Sequence, residues 1–215
     1  MSENVTQYNT VLGSAEGEIT EKKSRFIATV IHVESEEEAI ENIERLKKKY
    51  WDARHNCYAY ILGKNSEMMR FSDDGEPSGT AGKPILEVLK GRKLTDTLVV
   101  VTRYFGGVLL GTGGLVRAYT DSTVEGLTCS ELKTMKLMQK LNISIDYTNV
   151  GKLKYVLAND GIDVVDEIYT ELVTIVAAVP CGDVGAVLKK ITDITSGKAS
   201  FEEGEQLFVA TDIMD

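Results

Sequence analysis

The chain has 215 residues, of which 43% are hydrophobic and 27% charged, and a formal net charge of −9. That composition belongs to a folded globular chain and excludes general disorder, and the length allows one large domain or two small ones. The net acidity excludes a molecule coated in basic surface. No run approaches the ~18 apolar residues that a membrane helix needs, and the first residues lack the basic and apolar regions of a secretory signal, so a cytoplasmic protein with no membrane partner is expected.

The chain opens with a predicted hairpin. Residues from about Asn9 to Ile19 and from Ser24 to Val33 are rich in β-formers, with Thr20–Lys23 as the turn. A helix follows, announced by Ser35 and Glu38 as a capping box. Ala39, Ile40, Ile43, Leu46 and Tyr50 form its apolar stripe, and Lys47–Lys49 close its last turn, as the helix dipole favours. Cys57–Leu62 and Met68–Phe71 read as strands. The stretch FSDDGEPSGTAGKP is an irregular loop that opens a second helix with Pro84 as its first residue and Gly91 at its end. Leu98–Thr102 is a continuous β-branched run, the mark of a strand buried on both faces. It leads through RYFGGVLLGTGG into a third helix, LVRAYTDSTVEGL.

From Leu137 onward the pattern changes. Alternation from Leu137 to Ile145, a helix around Val150–Leu157, strands at Ile162–Tyr169 and Leu172–Val179, a helix from Val184 to Ile194 and a strand at Leu207–Ile213 give the order β-α-β-β-α-β. That order is the split βαβ, ferredoxin-like arrangement. Charge changes at the same place. Residues 1–136 hold 18 basic and 20 acidic side chains, whereas 137–215 hold 6 and 13, and every arginine lies in the first part. Two domains are therefore expected, 1–135 and 136–215, with a protease-sensitive linker near the junction, and an anionic ligand is expected on the first. The cysteines Cys57, Cys129 and Cys181 lie far apart with no CxxC, so free thiols are expected rather than disulfides or a structural zinc site.

Two glycine-rich loops each lead to a helix start, where unpaired amides and the positive dipole end favour an anion. The first loop adds Ser78, Thr80 and Lys83. The second contains Gly106, Gly107, Gly111, Gly113 and Gly114 between Arg103 and Arg117. Hydroxyls, amides and guanidinium forks hold phosphate, so these residues are candidates for nucleic-acid or anion binding. Arg103 is expected at a strand end and Arg117 in the first turn of the third helix. The alternative is that the glycines serve only turns and close packing. Neither loop is a Walker A or dinucleotide fingerprint: Pro84 follows Gly82-Lys83, and Val116 stands where the latter needs glycine. Asp73, Asp74 and Glu76 are a candidate Mg²⁺ site, with turn chemistry as the alternative. His55, beside Arg54, is a candidate acid or base. Tyr104, Phe105 and Tyr119 are candidates for base stacking, with burial against the sheet expected for Phe105. No nucleophile motif is present, and no cofactor is expected.

The run from Gly82 to Gly111, GKPILEVLKGRKLTDTLVVVTRYFGGVLLG, with FSDDGEPSGTAG before it and GTGGLVRAY after it, resembles the signature of the IMPACT family. The whole chain is similar to the family's bacterial two-domain, YigZ-like branch. The resemblance implies an α+β protein: an N-terminal α/β sandwich like the second domain of a small-subunit ribosomal protein, then a ferredoxin-like domain like the last domain of elongation factor G. It also implies binding residues at Arg54, His55, Asp73, Asp74, Glu76, Ser78, Lys83, Arg103, Arg117 and their glycines. Eukaryotic relatives restrain a stress kinase of translation initiation by competing for its activator, using a further N-terminal interaction domain that has no counterpart in these residues. The expected function is a non-enzymatic, translation-associated protein that binds RNA or a ribosomal surface through the glycine-rich loops, with a translation-regulating protein as a further partner. The alternatives are an enzyme acting on a small phosphorylated or peptide substrate in the same cleft, or a purely protein-binding regulator.

Overall fold

The computed structural model describes residues 5–212. The elements in order are β1 (Gln7–Leu12), β2 (Ser14–Glu21), β3 (Ser24–His32), α1 (Glu36–Lys49), β4 (His55–Leu62), β5 (Met68–Ser72), α2 (Gly82–Gly91), β6 (Thr97–Tyr104), α3 (Gly111–Thr128), β7 (Glu131–Ile145), α4 (Val150–Asn159), β8 (Asp163–Tyr169), β9 (Val173–Pro180), α5 (Val184–Thr195) and β10 (Ser200–Asp212). The class is α+β, with two sheets and five helices among the described residues. Tyr8–Met135 forms the body of one compact unit and Lys136–Ala210 the body of the other.

In the first unit the sheet runs β2-β3-β6-β4-β5, with antiparallel neighbours throughout. The pleat sorts side chains by face, because successive residues of a strand point to opposite sides. Phe26, Ala28, Val30, Cys57, Ala59, Val99 and Val101 pack under α2 and α3. Ile31, Tyr60, Leu62, Leu98 and Val100 pack under Ala39, Ile43 and Leu46 of α1. Strand β6 is therefore covered on both faces, as its unbroken β-branched run requires. Ser35 caps α1 as expected, accepting from the Glu38 amide at 3.1 Å, but the Glu38 carboxylate reaches back to the Glu34 amide at 2.9 Å. Ile40, counted into the stripe of α1, faces solvent.

The predicted first strand is two. Gly13, at φ +64°, breaks it between β1 and β2. The β2–β3 turn places Lys22 and Lys23 at φ +44° and +66°, the left-handed pair of a two-residue hairpin turn in which glycine and asparagine are more usual. Strand β2 then approaches α3 closely: a Cβ on Gly17 would stand 2.7 Å from the Gly126 amide nitrogen, so neither element tolerates a side chain there.

In the second unit β7 lies between β9 and β10 and β8 forms the edge, the strand order of a ferredoxin-like βαββαβ sheet. Its core is Leu141, Ile143, Ile145, Leu153, Leu157, Val173, Ile175, Val187 and Ile191. Residues 131–138, expected to hold a cleavable linker, lie instead within β7. Ile213, the expected end of the last strand, lies outside the described residues. Among the described residues no helix is long and apolar enough to cross a membrane.

Candidate nucleic-acid interface

The first glycine-rich loop is organised by Asp73. Its Oδ1 accepts from the amides of Ala81 at 3.0 Å and Gly82 at 2.8 Å, and its Oδ2 accepts from Gly79 at 2.8 Å. Helix α2 has no capping side chain of its own, since Ala81 stands at the N-cap. Asp73 supplies the missing acceptor from eight residues away, and Pro84, three residues into the helix, has no N–H to leave unpaired. The helix start expected to receive an external anion thus holds an internal carboxylate. Gly82 serves this close packing, because a Cβ there would meet the Ser72 carbonyl oxygen at 2.6 Å.

The other acidic residues of the loop are also engaged. Asp74 accepts from the Asn56 amide at 2.7 Å and lies 3.5 Å from the Lys47 ammonium. Glu76 Oε1 accepts from Arg103 Nη1 at 2.6 Å and from the Tyr119 hydroxyl at 2.8 Å. The three carboxylates turn to three different sets of partners, which corrects their reading as a Mg²⁺ site. No cluster of metal-ligating side chains occurs among the described residues. Thr80 is buried and its hydroxyl donates to the Pro77 carbonyl at 2.6 Å, which ties the loop instead of facing a ligand, while Ser78 is exposed.

Arg103 is the pivot of the unit. It lies opposite both His55 and Phe26 in the sheet register, so all three share the α2/α3 face at one end. Its side chain is 7% exposed and that of Glu76 3%. A charge buried this far needs its partner. The guanidinium has five N–H donors. One bonds Glu76, another reaches Ser24 Oγ at 3.5 Å, and Nε has no partner. The group lies 5.4 Å from the centroid of the Phe26 ring and 5.7 Å from that of Phe105. The expectation of Arg103 at a strand end holds, but its first duty is internal.

Beside it, the Arg54 guanidinium sits 5.6 Å from the Phe105 ring centroid and makes no ion pair among the described residues. The His55 ring engages the Asp74 carbonyl through Nδ1 at 2.9 Å. Cys57 and Tyr119 hydrogen-bond at 3.3 Å, and burial pushes both of their pKa values up, which leaves the thiol a poor nucleophile.

The second loop differs from the first. Gly106 is fixed by packing, because a Cβ would stand 2.0 Å from the Lys23 carbonyl carbon. Gly107 and Gly111 have φ of +83° and +71°. Gly113 and Gly114 lie in the first turn of α3, and no atom lies within 4 Å of where a Gly113 Cβ would be. The helix starts at Gly111, four residues earlier than the sequence pattern suggested, so Arg117 stands in its second turn and not its first. Leu110 at the N-cap gives no side-chain hydrogen bond, and the first turn holds no acidic residue.

A cavity of about 450 Å³ opens here, lined among others by Arg54, His55, Arg103, Phe105, Leu109 and Thr112. Glu76 and Gly111 also border it. Lys83 borders a different groove with Val88 and Val116, and Arg117 a third depression with Lys22 and Asp121. The candidate residues therefore do not converge on one place: Arg54, His55, Arg103 and Gly111 do, whereas Lys83 and Arg117 stand apart. Sequence reasoning missed Trp51, which is 81% exposed in the turn before Arg54, and Leu109, 83% exposed. It placed Phe105 in the core, but the ring lies past the end of β6 and is 39% exposed. A lone tryptophan in the polar turn WDAR was the available signal.

Residues 22–127 match the Impact N-terminal domain family, and residues 143–198 match a family described as a domain of unknown function, DUF1949. The chain is 45% identical to the IMPACT family member YvyE of Bacillus subtilis, over 94% of this chain and 93% of that one. The chain belongs to the IMPACT family. It is also 34% identical to the IMPACT family member YigZ of Escherichia coli, over 82% of this chain and 87% of that protein. A crystal structure described only as that of a hypothetical protein superposes with a TM-score of 0.60 at 31% identity, covering 93% of this chain and 98% of the other. Both domains of this IMPACT family chain thus have counterparts in the bacterial two-domain branch.

Proposed function

We infer that this protein is a translation-associated regulator that binds RNA, free or on a ribosomal surface, through one end of its first unit. The observation that carries the reading is the grouping there of exposed aromatic rings and of cations that make no ion pair among the described residues. The Lys22-Lys23 turn packs against Gly106, Arg54 lies over Phe105, and Trp51 stands free in the turn before Arg54. Alternating cations and rings suit a nucleic-acid strand, since the former meet phosphates and the latter stack on bases. The confinement of every arginine to this unit lets a net-acidic protein present a locally cationic face. Family membership is consistent with a regulatory partner among translation proteins. Of the side chains that motivated an enzyme reading, Asp73, Asp74, Glu76 and His55 are taken up by internal bonds, and Lys83 borders a separate groove.

Fluorescence anisotropy with a labelled RNA oligonucleotide at several salt concentrations tests the reading. Affinity is expected to fall steeply as salt rises, because bound counterions are released on association. Arg54→Ala lowers the slope of log affinity against log salt by about one unit. Affinity that does not respond to salt, or absence of binding at low salt, contradicts the proposal.

A further inference from the structure

We propose that the cavity between the end of β6 and the start of α3 holds one nucleotide splayed out of a single-stranded RNA, its phosphodiester at the α3 amides and its base against Phe105 and Leu109. The proposal rests on the RNA reading above and specifies where and how one nucleotide is gripped.

Four independent features support it. The amides of Gly111, Thr112 and Gly113 are the unpaired donors of an 18-residue helix, and no side chain caps them; such a terminus attracts an anion. Arg103, on the same cavity wall, is more than nine-tenths buried yet has an Nε donor with no partner. The charges on the wall also limit the ligand. Glu76 offsets Arg103, so Arg54 supplies one uncompensated positive charge, which matches a singly charged phosphodiester better than a doubly charged phosphate end. Finally, Phe105, Leu109, Leu110 and Leu115 make most of the remaining wall, and an apolar wall with a few aimed polar groups is the usual form of a small-ligand pocket of this volume. Gly113 fits the same picture. Neither its φ nor any neighbour requires glycine, so its missing side chain leaves the approach to the helix start open.

Duplex RNA keeps its bases stacked and cannot place one in this cavity. The site therefore selects single strands, whereas the surrounding lysines do not. The test is a titration of the ¹⁵N-labelled full-length protein with a uridine dinucleotide, a single-stranded hexanucleotide and a duplex, followed by NMR. The Gly111, Thr112 and Gly113 amide signals are expected to move with the dinucleotide. The single strand is expected to bind about tenfold or more tighter than the duplex, the scale of one base–aromatic stack. Phe105→Ala and Arg54→Ala each weaken dinucleotide binding about tenfold, whereas Lys90→Ala, on the outer face of α2, leaves it unchanged. If Phe105→Ala does not fold, the exposed Leu109→Ser gives the same readout.

Equal affinity for duplex and single strand, with shifts confined to Lys22, Lys23 and Trp51, overturns the pocket and leaves the RNA reading standing. Absence of any RNA binding removes both. Movement of the same three amides by a short peptide with a free C-terminal carboxylate, and not by the dinucleotide, reassigns the pocket to peptide ends and also overturns the proposal.

Discussion

The starts of α2 and α3 are both reached through glycine-rich loops, and they end differently. At α2 the Asp73 carboxylate occupies the amides from within the chain. At α3 no side chain does so, and a cavity lies beside the helix start. Both termini answer the same physical need, since unpaired amides and the positive end of a helix dipole favour negative charge. An internal carboxylate turns that need into stability. An unfilled terminus keeps it available to a ligand. A glycine-rich helix start in a sequence is therefore a binding candidate only after nearby acidic residues have been accounted for.

The largest expected effect tests the wall that separates the two loops. Glu76→Ala leaves the buried Arg103 charge without its carboxylate and the Tyr119 hydroxyl without its acceptor. Loss of one partner of a buried pair costs on the order of 3–5 kcal/mol, so urea denaturation should show a midpoint far below that of the parent. A midpoint within error of the parent means that Arg103 finds another partner and that the pair does not hold the loop.

Next comes Asp73→Ala, which leaves three loop amides unpaired at α2. A loss of about 2 kcal/mol is expected, the upper range for a helix cap. Asp73→Asn, which keeps an acceptor oxygen, should recover part of it. Added sulfate should protect the alanine variant against thermal unfolding more than it protects the parent, because the vacated terminus resembles that of α3. Equal protection in the two proteins breaks the comparison.

Gly113→Ala acts in the opposite direction. Its backbone lies outside the left-handed region and a Cβ meets nothing, so the substitution should stabilise by up to about 1 kcal/mol through helix propensity. A lower melting temperature would show that the residue is glycine for a packing reason after all.

The smallest shift in stability is expected from Thr112→Glu, which brings a carboxylate to the start of α3 as Asp73, from the preceding loop, does to the start of α2. The dipole favours it by roughly 0.3–1 kcal/mol. The same change should abolish the response of the Gly111 and Gly113 amides to added polyanion. A stabilised variant that still binds RNA as the parent does would detach the helix start from the interface.

The helices and strands were legible because their signals are local. The Ser35 cap, the β-branched run of β6 and the βαββαβ order of the second unit each follow from residues within a turn or a strand of one another. Exposed ends were less legible. Ile40 fits the period of α1 yet faces water, and the hairpin turn narrows to two lysines at positive φ, where glycine and asparagine are more usual.

The candidate site divides along the same line. Composition alone located it in the first unit, since every arginine is there, and the glycine spacing marked both loops. Asp73 closes the first loop through amides six to nine residues away, whereas the wall of the cavity was decided by contacts between residues far apart in sequence: Arg103 with Glu76, 27 residues apart, and Glu76 with Tyr119, 43 apart. A carboxylate, a guanidinium and a helix start each carry a charge or an unpaired group that must be satisfied. The sequence lists these groups, but only the folded chain determines which satisfy one another and which remain for a ligand, because pairing depends on distances of about 3 Å that periodicity does not encode.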